Sequence, residues 1–527
     1  KKSKLKFASS TKRGLVSTGC AACMSTMRAK VGTLACMVAS ATAILRQEFR
    51  HHSNRLVLQD DPSYPAQYYT EQTLDHFSSN DKRIFKQRFY ENFDHYKKGG
   101  PVFIYIGGEG PLSSSSVSGV TANTDFAERL GGATVALEHR FYGQSQPFDS
   151  LATEHLPYLT SRQALQDLAQ FQRWFTKEHS LEDSAFFCMG GSYPGNLAAW
   201  YRLEFPELTA GCWAASGPVQ AQENWPGFGE MVWKAMSTNV VGELDSAPAV
   251  KLFAGYEQLA ALIQNPIAAE VAQVEKKLNA CPGSIVSQDD RDNWEMTITN
   301  YPGLIMQYNN SQTPHLAAVK QIVEAAETPL DAAWAVTAFL NVTTGTSGCA
   351  DNSIGAFYRQ LGDAKLPADG SGNAGRTWTW QTCNEFGYFQ TADAKLSTPN
   401  FYTRGASNPA MWQQVCSNIF GINEASIGAR IARTNDYYGG NTRYEGSHVL
   451  FSNGALDAWS LLSVTSYPKN NRSVYTKVAP QGSHCVGLYS PHEEELPGAT
   501  EVRNLAFQLF QTWGAGGSSG HVNQLLV

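Results

Sequence analysis

Short apolar runs alternate with helical patterns along the first half of the chain. Pro101-Val102-Phe103-Ile104-Tyr105-Ile106 is one such run and opens into Gly107-Gly108-Glu109-Gly110. Ala133-Thr134-Val135-Ala136-Leu137 is a second, leading into Glu138-His139-Arg140-Phe141-Tyr142-Gly143. A strand buried on both faces reads this way, because neither face needs polar residues. Between Ser161 and Phe175, Ala164, Leu165, Leu168, Phe171, Trp174 and Phe175 keep helical spacing. A third strand, Ala185 to Met189, a helix ending near Pro206, and a fourth strand, Gly211-Cys212-Trp213-Ala214-Ala215, complete the series. Strands alternating with helices predict a parallel sheet covered on both faces.

The texture changes near Gln220. From there to Tyr437 β-branched runs are few and alanine-rich helical patterns dominate. Leu316, Val319, Ile322, Val323 and Ala326 share one helix face, Thr328-Pro329 starts another helix, and Val250 to Leu278 reads as helical. Sheet texture returns at His448-Val449-Leu450-Phe451 and Ser473 to Val478, and a closing helix spans Glu501 to Trp513. The expected organisation is a first core segment over 67–219, a mostly helical insertion over 220–437, a second core segment over 438–515 and a flexible tail over 516–527. Strands that open the sheet are expected within Gln67 to Tyr96, after a polar linker over 44–66.

The N-terminal region has a different character. Residues 1–30 are basic, and the uncharged run from Val31 to Leu45 is shorter than the roughly 20 residues of a membrane span. Ala41-Thr42-Ala43 has the small-x-small form of a signal-peptidase site, so residues 1–43 read as a secretory signal, with a signal anchor as the alternative. Seven cysteines beyond that region, spread singly, fit a few disulfides plus one free thiol rather than a zinc ribbon. Cys188, in an apolar strand, is the expected free one. Sequons stand at Asn309, Asn341 and Asn471. With 42% hydrophobic and 17% charged residues the chain can bury a large core, and a net charge of −6 offers no field for nucleic acid. Small molecules or peptides are therefore the expected partners, with no cofactor or metal. The mature chain is expected to lie outside the bilayer, and a homodimer is one assembly the sequence leaves open.

The candidate chemistry centres on Gly190-Gly191-Ser192-Tyr193-Pro194-Gly195, between the third strand and its helix. A nucleophile elbow needs small residues around its serine, because the strand turns sharply into the helix. Pro194 holds the usual last glycine position and Gly195 comes one later, so an ordinary turn is an equal reading of these residues alone. The two strands after the insertion tip the balance. Asp457 follows one and His484 follows the next, in the order Ser, Asp, His and at the edge where ligands bind in such sheets. A loop Asp or His alone is more often a turn former or a surface residue; their conjunction with Ser192 is far more specific. The oxyanion hole would draw on the backbone N–H of Tyr193 and on Gly107 or Gly108.

These motifs, with Glu138 to Ser145, Tyr158-Leu159-Thr160, Asn453-Gly454 and His484-Cys485, resemble the post-proline serine peptidases. That family comprises lysosomal Pro-Xaa carboxypeptidase, dipeptidyl peptidase II and the thymus-specific serine protease. The resemblance runs from about Gln67 to Trp513, more loosely in the middle, and its Gly-Gly-Ser-Tyr-x-Gly elbow accounts for Pro194. Ala458, where the family has proline, and Ser483 depart from it. It implies an α/β-hydrolase core with a helical cap domain, and exopeptidase action at proline, often at acidic pH in lysosomes or outside the cell. Trp459 and aromatics of the insertion would line a proline pocket, although core packing explains any single one as well. Glu109, Glu138, Arg140 and Glu385 are candidate grips for a substrate terminus, with structural salt bridges as the plain alternative. A secreted esterase or lipase, and a catalytically silent hydrolase-fold binding protein, are the competing readings.

Overall fold

A computed structural model describes residues 60–239, 242–265, 267–309, 315–343, 348–367, 369–370, 372–392, 400–401, 407–466, 473–492 and 495–515. The expected signal over 1–43, residues 44–59 of the expected linker, Asn471 and the expected tail over 516–527 lie outside them.

Eight strands form one sheet: β1 (Gln67–Thr73), β2 (Ile84–Asn92), β3 (Val102–Ile106), β4 (Ala133–Leu137), β5 (Phe186–Gly191), β6 (Gly211–Ala215), β9 (Val449–Gly454) and β10 (Val474–Ala479). Their order across the sheet is β1-β2-β4-β3-β5-β6-β9-β10. β2 runs antiparallel to both β1 and β4, and every other pairing is parallel. The parallel strands are those the alternation of strands and helices predicts, and together the sheet forms the α/β-hydrolase core that the resemblance implies.

The apolar runs are continuous because the pleat divides them between two cores. Val102, Ile104, Val135, Cys188, Cys212, Ala214 and Phe451 pack on one face, with helices Ser161–Glu178 and Tyr193–Glu204. Phe103, Phe187, Met189, Trp213, Leu450 and Tyr475 pack on the other, against helices Ala122–Leu130 and Ala499–Gly514. The closing helix buries Val502, Leu505, Ala506, Leu509 and Phe510, the stripe its spacing predicts.

Between β6 and β9 the chain is mostly helical, from Gly227–Met236 to Ile427–Tyr438. Pro329 opens its helix as expected, with the Thr328 hydroxyl accepting the Asp331 N–H at 3.1 Å. The Val250 to Leu278 pattern resolves into two helices, Ala247–Ile263 and Ala268–Leu278. The insertion also carries a parallel pair, β7 (Gln222–Trp225) with β8 (Gly387–Gln390). Each is only four residues long and neither holds a β-branched residue, so no apolar run or alternation marks them along the chain.

The cysteine expectation is corrected. Cys188 is bonded to Cys212, Cys281 to Cys349 and Cys383 to Cys416, and the free thiol is Cys485. Cys188 and Cys212 face each other in register on adjacent strands β5 and β6, a proximity that strand order creates and spacing along the chain conceals. Asn309 is 7% exposed and its side-chain carbonyl accepts the Leu316 N–H at 3.1 Å. Asn341 falls in helix Pro329–Thr343. Among the described residues no helix is long and apolar enough to cross a membrane.

Candidate active site

β5 ends in the turn that carries Ser192. The serine has φ 64° and ψ −131°, a left-handed conformation that a non-glycine residue adopts only when its surroundings enforce it. They do so here. The Ser192 N–H donates to the Ala215 carbonyl at 2.9 Å, while the Ser192 carbonyl accepts the Gly195 and Asn196 N–H groups. A Cβ at Gly190 would strike the Pro194 carbonyl, so the strand reaches the helix closely only because that residue is glycine. Ser192 is half-buried, and its hydroxyl has no hydrogen bond among the described residues.

Asp457 and His484 arrive from the ends of β9 and β10, which pair in parallel. Asp457 is fully buried and accepts the Trp459 N–H at 3.0 Å through Oδ1. His484 Nδ1 lies 3.1 Å from each carboxylate oxygen of Asp457. The carboxylate only accepts, so Nδ1 carries the proton and Nε2 presents a lone pair. Nε2 is buried and has no partner among the described residues. Burial alone would lower the imidazole pKa, but the Asp457 carboxylate, with Cys485 beside the ring, outweighs it and holds the pKa well above the ordinary value.

The histidine loop sits against the elbow. A Cβ at Gly191 would meet Cys485 Sγ, so the residue before Ser192 touches the residue after His484. Ser216, just past β6, closes the frame. Its N–H donates to the Ser452 carbonyl at 2.6 Å and its hydroxyl accepts the Cys485 N–H at 2.8 Å. Ser216 and Cys485 both hold left-handed φ values, 48° and 59°. Nothing in the sequence marks Ser216, because its role depends on the neighbouring strands.

Tyr193 is the first residue of its helix, and its N–H has no acceptor among the described residues. Of the two expected glycines, Gly107 is corrected. Its N–H donates to the Leu137 carbonyl at 2.9 Å and is no longer available. Gly108 packs on the Pro194 ring and its N–H has no such partner among the described residues.

The expected substrate contacts divide. The Trp459 ring centroid lies 6.2 Å from that of His484, against Trp225 and Tyr388, with its N–H donated to Gln307 at 3.0 Å. Glu109 is half-buried beside Gly108, its carboxyl pKa raised by burial despite its own backbone N–H and the nearby His484. Glu385 is corrected as a grip. It is buried, and its carboxylate accepts the Ser161 N–H at 2.9 Å and the Ser161 hydroxyl at 2.7 Å. Burial pushes its pKa up to about 7. Glu138 pairs with Arg88, and Arg140 pairs with Asp167, all in the interior, so both are structural too.

The chain's kinship agrees with this geometry. The profile of the family described as serine carboxypeptidase S28 matches residues 72–506. The chain belongs to the S28 family. It is a serine-type peptidase. Human thymus-specific serine protease is 31% identical over 464 residues, covering 85% of this chain and 87% of that protein. Mouse lysosomal Pro-X carboxypeptidase is 28% identical over 448 residues, 77% of this chain and 81% of the other. Among solved structures, a proline iminopeptidase of Mycobacterium smegmatis is 12% identical with a TM-score of 0.33, covering 82% of this chain and 96% of that one. Strand order, rather than that distant likeness, establishes the fold of this S28 peptidase.

Proposed function

We propose that this S28 peptidase is an exopeptidase that cleaves peptides next to proline, with Ser192 as nucleophile, His484 as base and Asp457 as the residue that orients it. The observation that carries this reading is the His484 ring. Asp457 fixes its Nδ1, its Nε2 is bare, and its loop rests on the elbow that presents Ser192.

In the first step Ser192 Oγ bonds to the substrate carbonyl carbon and its proton passes to His484 Nε2. The carbonyl oxygen becomes an oxyanion facing the N–H groups of Tyr193 and Gly108. The carbon–nitrogen bond then breaks as Nε2 returns the proton to the leaving amine. Water attacks the acyl-enzyme, gives its proton to Nε2, and the ester bond to Ser192 breaks as the serine recovers a proton. Residues 220–437 act as the cap over this edge of the sheet. Trp459 supplies an apolar wall for proline beside His484, and Glu109, next to Gly108, is the candidate grip for a substrate terminus.

The mouse relative's name, Pro-X carboxypeptidase, supports proline selectivity. Its lysosomal description and the three disulfides support passage through the secretory pathway, to the lysosome or the cell exterior. A panel of peptides with proline at each position, blocked at one end or the other, tests the reading alongside simple esters. Cleavage beside proline that requires one free terminus is the expected result. Turnover of esters alone would overturn it.

A further inference from the structure

The insertion reaches beneath the elbow. Tyr193 is 1% exposed, and its ring packs against Trp378 and Phe386 of the insertion at centroid distances of 5.5 and 5.2 Å. Its hydroxyl lies 3.0 Å from Gln381 Nε2 and 2.9 Å from His139 Nε2. Gln381 Oε1 accepts the Tyr142 hydroxyl at 2.6 Å.

These hydrogen bonds run in one direction. His139 Nδ1 lies 2.7 Å from the Arg140 carbonyl, which only accepts, so Nδ1 carries the proton. Burial lowers the His139 pKa to about 4, so the ring is neutral above that pH and Nε2 is an acceptor. The Tyr193 O–H therefore donates to His139, and the Tyr193 oxygen accepts from the Gln381 amide. Turning that amide over would make it compete with His139 for the one Tyr193 proton. The Tyr142 hydroxyl, Gln381, the Tyr193 hydroxyl and His139 thus donate in sequence, ending at Arg140. That arginine is fixed in turn by Asp167, with Nε to Oδ2 at 2.6 Å and Nη2 to Oδ1 at 2.5 Å.

The Tyr193 N–H shares a peptide plane with the Ser192 carbonyl, which the Gly195 and Asn196 N–H groups hold from one side. Tyr193 directly follows Ser192, whose φ is 64°, and as the first helical residue its N–H has no intrahelical acceptor of its own. The buried ring and hydroxyl hold the residue from the other side. We infer that Gln381 is a positioning residue for the oxyanion hole: by holding the Tyr193 hydroxyl against His139, it fixes the backbone N–H that receives the developing charge. This rests on the assignment of Ser192 and the Tyr193 N–H made above. It makes the insertion part of the rate apparatus as well as a cover, since a hydrogen-bond donor misaligned by a fraction of an ångström loses much of its worth in the transition state.

A double-mutant cycle tests it, using Gln381→Leu, Tyr193→Phe and the pair, assayed on the best proline-containing peptide for the wild type. If Gln381 acts through the Tyr193 hydroxyl, each single change lowers kcat about ten- to a hundredfold with little change in KM, and the double variant is no slower than the worse single. Affinity for a peptide aldehyde, whose hemiacetal oxygen occupies the hole, should fall in parallel, while affinity for the cleaved product stays constant. Losses that multiply in the double variant, or a KM rise with kcat retained, would overturn the inference. Tyr193→Phe keeps the ring packing, so an unchanged kcat there overturns it even if Gln381→Leu fails to fold. A wild type that cleaves no peptide and whose Ser192 takes no covalent probe refutes the assigned function instead.

Discussion

His484 Nδ1 stands equidistant, at 3.1 Å, from both carboxylate oxygens of Asp457, a residue with no exposed surface. A bidentate acceptor fixes both the tautomer and the plane of the ring, leaving Nε2 as its one reactive edge. Asp457→Asn would preserve the shape and can hold the wrong tautomer. The expected result is a fall in kcat of roughly four orders of magnitude with the fold intact. Steady-state kinetics with a thermal melt on the same sample checks it.

The same pair sets the pH dependence. Because Asp457 holds the His484 pKa well above its ordinary value of about 6.5, the ring is protonated and unable to act as base at lower pH. The acid limb of kcat/KM should therefore have its midpoint above 6.5, with activity lost as pH falls through it. The acidic working pH implied by the resemblance predicts the opposite, so a pH–rate profile between pH 4 and 9 separates the two.

Glu385 predicts a trend in stability. Its folded pKa, about 7, exceeds the ordinary 4.5, so between these values the folded state binds more protons than the unfolded state. Stability then falls as pH rises through that window, by on the order of 2–3 kcal/mol from this group. Glu385→Gln should flatten the trend. Denaturant unfolding at pH 4.5 and pH 7.5 in both proteins is the check.

The Cys188–Cys212 bridge joins β5 to β6 directly beneath the elbow. Replacing both cysteines by alanine should cost about 2–4 kcal/mol of stability. Peptide mapping of the unreduced protein should find Cys485 alkylated once the chain is unfolded, and Cys188 in a bridge.

Much of this architecture was legible in the sequence, for a definite reason. The central strands are buried on both faces, so their apolar runs stand out, and Ser192, Asp457 and His484 each follow such a run. Chain order then brought them to one edge. What escaped notice depends on lateral neighbours. Cys188 meets Cys212 only because β5 lies beside β6, and Gly107 is spent because β3 lies beside β4. Glu385 and Arg140 look like ready charges in the chain, yet they are paired in the interior. Ser216 and Gln381 carry no motif, and His139 stands within the Glu138 to Ser145 motif without a visible role, because Cys485, Tyr193 and Tyr142 reach them from far along the chain.

The central claim is that Ser192 is the nucleophile activated by His484. Labelling with a fluorophosphonate, followed by mass mapping of the modified peptide, tests it most directly. The geometry predicts a single adduct on Ser192, absent in Ser192→Ala and formed much more slowly in Asp457→Asn. An adduct on another residue, or equal labelling of Ser192→Ala, would contradict it.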